Sequence, residues 1–196
     1  MDGGAFDANF ARRKRWRVDP GLWRALTATI PAGATVVDCG AGLGRYVRAL
    51  LAAGYRACGV DGIPGVYRLS DGLVYELDLS IPAPPDVWPS PAQWAMSIEV
   101  GEHVPADRAD QFCDNVAAVG RVGLIVSWAV PGQRGRNHVN CQPPAWVTSQ
   151  FARRGWQVDA AKTAAAREIA GRGWNRKLFV FARNRNNEGM LPCDAL

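Results

Sequence analysis

The chain lacks most of the features that would assign its class at a glance. Its five cysteines, at positions 39, 58, 113, 141 and 193, form no C-x-x-C pair. An odd count without paired spacing offers no disulfide framework and points to a reducing compartment. No apolar run approaches the ~20 residues needed to span a bilayer. The opening Met1-Asp-Gly-Gly is polar and leads into a basic segment, so it has no signal-peptide apolar core. The expectation is a cytoplasmic protein with no membrane partner. There is no internal repeat. Histidine is scarce: only His103 and His138 occur, so imidazole chemistry rests on these two.

What is present suits a single globular domain. The 196 residues are 48% hydrophobic and include eight Trp, enough for a substantial core. The net charge is +5, and much of the excess lies in Arg12-Arg-Lys-Arg-Trp-Arg17. Five basic residues around one Trp suit either a solvated arm or a surface for phosphates and a stacked base. Residues 1–17 read as a basic peripheral arm, 18–183 as the folded domain and 184–196 as a polar tail.

Residues 36–44 carry the strongest signal. A β-branched run ends in Asp38, the turn Gly40-Ala-Gly42-Leu-Gly44 follows, and a helical pattern runs from Arg45 to Ala53 before Gly54. Strand, tight turn and helix make a cradle in which glycines admit a ligand to the backbone and the helix N-terminus offers N–H groups. The spacing G-x-G-x-G is one residue short of the dinucleotide fingerprint. A carboxylate at the lip of the cradle, Asp38, would repel a pyrophosphate and suit a cationic ligand. Asp61 ends the next strand pattern, Ala57 to Val60, where an acid of a β-α-β unit meets ribose hydroxyls.

Along the rest of the chain, strands alternate with helices. Asp19 and Pro20 start a helix to about Thr29, and strands are expected at 35–38, 57–60, 74–78, 94–98, 122–128, 156–159 and 177–182. Ile63 to Ser70 reads as a short helix or loop, and the proline-rich 81–91 as a loop. A helix opened by Pro105 buries Ala109, Phe112, Cys113, Val116 and Val119. Another spans 143–151, and 163–170 reads as a short inserted helix before the last strand. The expectation is an α/β fold: a Rossmann-like, seven-stranded, mostly parallel sheet with helices on both faces, the last two strands forming a hairpin. Asp38, Asp61, Asp78 and Glu99 then fall at strand ends along one edge of the sheet, where such folds bind ligands.

Asp38, the glycine turn and Asp61 together resemble the class I S-adenosylmethionine-dependent methyltransferases over roughly residues 20–183. The resemblance implies S-adenosylmethionine as cofactor, held by Asp38, Gly40, Gly42 and Asp61, with Asp78 in Glu76-Leu-Asp-Leu at the position that meets the adenine amino group. The plainer alternative for Asp78 is an acid capping a strand end. Residues 126–155 and 173–181 are similar to bacterial and viral methyltransferases of unassigned substrate.

A second constellation follows strand four: Glu99-Val-Gly-Glu102-His103-Val-Pro105. It resembles the E-V-x-E-H-V segment of ubiquinone-pathway O-methyltransferases and of small-RNA 3′-terminal 2′-O-methyltransferases. In those families the two glutamates and the histidine bind a divalent metal, and the RNA family adds a histidine from the loop after strand five. Here that loop carries His138. The resemblance implies a metal site of Glu99, Glu102, His103 and His138, with Glu102, His103 and His138 as catalytic residues and Mg²⁺ or Mn²⁺ as the ion. The family favours Mg²⁺, whereas two imidazoles suit Mn²⁺ at least as well. Gly101 replaces a larger residue usual in those families. The function implied is metal-assisted methylation of a hydroxyl oxygen on a small molecule or sugar. The alternatives are an RNA ribose 2′-O-methyltransferase, with Arg12 to Arg17, Arg134 and Arg136 tracking phosphates, and a metal-free O- or N-methyltransferase with His103 as general base.

Overall fold

The structure is a computed structural model that describes residues 17–84, 87–88 and 92–183. The expected basic arm, apart from Arg17, and the tail 184–196 lie outside the described residues. In chain order the elements are α1 (Pro20–Thr29), β1 (Thr35–Cys39), α2 (Arg45–Ala52), β2 (Arg56–Asp61), α3 (Val66–Leu69), β3 (Val74–Glu76), β4 (Ala92–Ser97), α4 (Ala109–Val119), β5 (Gly120–Ser127), α5 (Pro144–Ala152), β6 (Trp156–Val158), α6 (Ala160–Ala170) and β7 (Leu178–Arg183). Short 3₁₀ turns occupy Gly101–His103, Ala106–Arg108 and Arg172–Trp174.

The seven strands form one sheet in the order β3-β2-β1-β4-β5-β7-β6. Pairs among β1 to β5 are parallel, and β7 runs antiparallel between β5 and β6. The chain reverses its direction of winding between β1 and β4. In open α/β sheets this switch point is where ligands bind, beyond the carboxyl ends of the strands.

Successive residues of each central strand serve opposite faces, as the two-residue period of a strand requires. Val36, Trp94, Met96, Ile125, Leu178 and Val180 pack in one core with Leu22, Leu26, Leu50 and Ala166, drawn from α1, α2 and α6. Val37, Ala95, Leu124, Val126, Phe179 and Phe181 pack in the other with Phe112, Val116, Val147 and Phe151 from α4 and α5. A strand buried on both sides reads as continuously apolar, which is why β4 and β5 show no hydrophobic alternation.

Two expectations change here. The inserted helix expected at 163–170 is the eleven-residue α6, capped by Asp159, whose Oδ1 accepts from Lys162 N at 2.9 Å. Its Thr163 hydroxyl bonds both backbone groups of Val180, at 3.0 and 3.2 Å. The last two strands therefore pair antiparallel, Trp156 opposite Arg183, but a full helix rather than a hairpin turn joins them. Its alanine-rich sequence shows only a weak apolar stripe, because it buries small side chains. At the other end α1 begins as expected, with Pro20 at its first turn and Asp19 Oδ1 accepting from Leu22 N at 2.7 Å.

Candidate active site

The glycine turn leaves β1 at Cys39 and bends with φ of +88° at Gly40, +56° at Gly42 and +74° at Gly44. A Cβ at Gly40 would fall 2.4 Å from Val100 Cγ2, whereas one at Gly42 would meet nothing within 4 Å. Gly40 is thus closed over by Val100, and Gly42 faces open space, as a cradle for a ligand requires. Gly40 N and Ala41 N both donate to Val60 O, at 2.8 and 3.1 Å, which fastens the turn to β2.

Asp61, the last residue of β2, holds the turn from beneath. Its Oδ2 accepts from Gly42 N at 2.7 Å and its Oδ1 from Ile63 N at 3.1 Å. Burial raises its pKa, and the two backbone N–H groups oppose that rise. Asp38 is not at the lip of the cradle. It is the penultimate residue of β1 and is 4% exposed. Burial, with the neighbouring Asp61 charge adding to it, pushes its pKa from 3.8 up to about 8. A carboxylate held there is short of a positive partner, and a ligand ammonium would supply one. Asp78 lies two residues beyond β3, and its Oδ1 accepts from Ser80 N at 2.8 Å. That bond caps the turn that follows β3.

The second constellation sits directly across Val100. After β4 the chain turns through Glu99 at φ +55° and enters the 3₁₀ turn Gly101–His103. The loop after β5 is stitched onto this turn. Val139 N and Asn140 N donate to Glu102 O at 2.9 and 3.0 Å, and Trp128 Nε1 donates to Asn140 O at 2.7 Å. These bonds bring His138 to His103, ring centroids 5.0 Å apart and edge to face at 77°. One ligand atom from each of Glu102, His103 and His138 lies within 4.8 Å of the others.

The chemistry of this trio suits a cation. Glu102 is fully buried, and neither carboxylate oxygen completes a hydrogen bond, although the Ala129 amide leans toward it. Burial first, and the Glu99 charge second, raise its pKa to about 8. An orphaned carboxylate in this setting is expensive unless a positive charge compensates it. Burial also lowers the pKa of His103, which favours the neutral imidazole that metals bind. His103 Nδ1 lies 2.9 Å from Asn137 O, which fixes the ring and directs Nε2 as its ligand atom. His138 Nδ1 lies 3.2 Å from Gln133 O.

Glu99, the fourth expected metal ligand, stands outside the trio. Its Oε2 pairs with Lys177 Nζ at 2.5 Å and accepts from Gln133 Nε2 at 3.3 Å, while its Oε1 accepts from Ser127 Oγ at 2.9 Å. The structure therefore joins Glu102, His103 and His138 as the sequence suggests and sets Glu99 against a lysine. Lys177, Trp128 and Asn140 also brace the site, and no motif in the sequence marks them. Lys177 precedes the last strand, and only the antiparallel register of β7, with Leu178 opposite Ser127, places it beside Glu99.

No family model and no curated protein matches the chain. Solved structures do share its fold. A TehB-like S-adenosylmethionine-dependent methyltransferase from Corynebacterium glutamicum superposes with a TM-score of 0.65 at 16% identity, over 89% of this chain and 96% of that one. The magnesium protoporphyrin IX methyltransferase of Synechocystis PCC 6803 with bound S-adenosylmethionine gives 0.58 at 16% identity, over 83% and 76%. The [4+2]-cyclase SpnF gives 0.60 at 12% identity, over 84% and 80%. The architecture is that of the class I methyltransferases, and the cyclase shows that the fold hosts more than one reaction. Among the described residues no helix is long and apolar enough to cross a membrane.

Proposed function

We propose that the chain is an S-adenosylmethionine-dependent methyltransferase that transfers a methyl group to a hydroxyl oxygen of a small molecule or sugar, assisted by a divalent metal. The observation that carries this reading is the buried, partnerless Glu102 carboxylate converging with His103 and His138. Val100, on the segment that carries Glu102 and His103, packs against Gly40 of the glycine turn.

In this reading Asp38 pairs with the ammonium of S-adenosylmethionine, Asp61 takes the ribose hydroxyls, and Asp78 stands at the adenine end. Gly42 lets the ligand approach the backbone. Glu102, His103 and His138 would hold the metal, which would supply Lewis-acid polarisation of the acceptor hydroxyl. Asn137, Gln133 and the backbone bonds to Glu102 O keep the two imidazoles aimed at one point. An acceptor with two adjacent oxygens suits such a site, since both can reach one ion.

The RNA reading draws support from Arg134 and Arg136, exposed on the loop that carries His138. The metal-free reading draws support from the lowered pKa of His103, which makes it a neutral base at pH 7. The test is transfer of a labelled methyl group from S-adenosylmethionine to a panel of vicinal diols and catechols, with and without EDTA. EDTA-sensitive transfer restored by Mn²⁺ or Mg²⁺ supports the proposal. Transfer that persists in excess EDTA gives His103 the base role, and transfer confined to RNA establishes the ribose acceptor.

A further inference from the structure

Lys177 is anchored from several directions. Its backbone O accepts from Trp128 N at 3.1 Å, one residue before β7 begins. Its ammonium lies 4.6 Å from the centre of the Trp174 ring, and its side chain is only 13% exposed. From there it reaches Glu99 Oε2. A half-sequestered ion pair with a cation–π contact behind it is screened less than a surface pair and holds its geometry better.

Glu99 is fixed as firmly on its own side. Its N–H donates to Ser127 Oγ at 2.8 Å, and the same hydroxyl donates back to Glu99 Oε1. Gln133 Nε2 adds a further donor to Oε2. Three donors thus face the Glu99 carboxylate, and one of them carries a full positive charge. Glu102, three residues further along the chain, has no hydrogen-bond partner on either carboxylate oxygen.

We propose that Lys177 is a positioning residue that keeps Glu99 out of the metal shell, leaving a two-histidine, one-carboxylate set that takes Mn²⁺, Fe²⁺ or Co²⁺ in preference to Mg²⁺. The inference rests on the metal reading given above. Mg²⁺ favours an oxygen-rich shell and gains most from a second carboxylate, whereas imidazoles favour the later divalent metals. By neutralising Glu99, Lys177 withdraws a further carboxylate from the centre. The lysine therefore acts through Glu99, as a supporting group acts through a ligand.

The test is calorimetric titration of Mn²⁺ and of Mg²⁺ into the full chain loaded with S-adenosylhomocysteine. Thermal unfolding and S-adenosylhomocysteine affinity serve as checks of folding. The wild type should bind Mn²⁺ at least about tenfold more tightly than Mg²⁺, and Glu99→Gln should change Mn²⁺ affinity by less than the ~10-fold that loss of a supporting partner costs. Lys177→Met should raise Mg²⁺ affinity by about tenfold or more as Glu99 is released to the ion, and Lys177→Met/Glu99→Gln should return it to the wild-type value. Lys177→Gln, closer in shape, should move in the same direction if the methionine variant folds poorly. A large loss of Mn²⁺ affinity in Glu99→Gln, or an unchanged Mn²⁺-to-Mg²⁺ ratio in both lysine variants, would overturn the proposal while leaving a metal site in place. Binding of neither ion to the wild type would overturn it together with the metal reading.

Discussion

The indole of Trp128 lies against the Cα of Gly101, so that a Cβ at position 101 would fall 2.3 Å from Cζ3 of the ring. The same indole donates through Nε1 to Asn140 O, and Asn140 Nδ2 reaches back to Gly101 O at 3.4 Å. One tryptophan at the end of β5 thereby clamps the turn that carries Glu102 and His103 to the loop that carries His138. The absence of a side chain at 101 is the condition for that clamp.

Gly101→Ala should disturb both stability and metal binding. Overpacking against the ring costs about 1–3 kcal/mol, and the turn must shift to relieve it. Denaturant unfolding should show a loss on that scale, with weakened Mn²⁺ binding and unchanged S-adenosylhomocysteine binding.

In the proposed reading, Asp38 links binding to pH. Its pKa near 8 means that the folded chain keeps a proton which the unfolded chain, with a pKa near 3.8, has shed. Stability therefore falls as pH rises between these two values. Asp38→Asn should abolish S-adenosylhomocysteine binding yet raise Tm at pH 8 by about 2–4 °C, the shift per kcal/mol for a chain of this size. In the wild type, pairing with a ligand ammonium requires the carboxylate form, so affinity should rise from pH 6 to 8 with proton release. Calorimetry in buffers of different ionisation enthalpy measures that release.

Asp61→Ala should weaken S-adenosylhomocysteine binding by about 1.5–3 kcal/mol, the scale of hydrogen bonds to a charged group. Because Asp61 also holds Gly42 N, Asp61→Asn should recover part of the loss by keeping one acceptor under the turn. Equal affinity in wild type and Asp61→Ala would place the ribose elsewhere.

Metal binding should tighten with rising pH. Burial and the Glu99 charge hold the Glu102 carboxyl well above the usual carboxylate range, so it must give up a proton to ligate, and Mn²⁺ affinity should climb between pH 6 and 8 with proton release. His138→Ala should cost at least about 10-fold in Mn²⁺ affinity, no less than the loss of a supporting group, and leave S-adenosylhomocysteine affinity intact. A flat pH profile would separate Glu102 from the ion.

The sheet was legible in the sequence because its strands are short apolar runs bounded by glycine, proline and acids, and the glycine turn fixes the polarity of β1. Glu102 and the two histidines were legible as a group because β4 and β5 pair side by side, so that their following loops converge. The depth of Asp38 was not, since a strand-end acid reads the same whether it faces solvent or the core. The Lys177–Glu99 pair was hidden for a different reason. It spans 78 residues and depends on the reversed direction of β7, which no local pattern encodes.

The central claim is that one divalent ion sits among Glu102, His103 and His138 beside the methyl-donor cradle. The most direct measurement is anomalous diffraction at the manganese edge from crystals grown with S-adenosylhomocysteine and millimolar Mn²⁺. The expected result is a single peak about 2 Å from the Glu102, His103 and His138 ligand atoms, with the nucleoside in the glycine turn and Glu99 still paired to Lys177. Clear density for S-adenosylhomocysteine with no anomalous peak at these three side chains would contradict it.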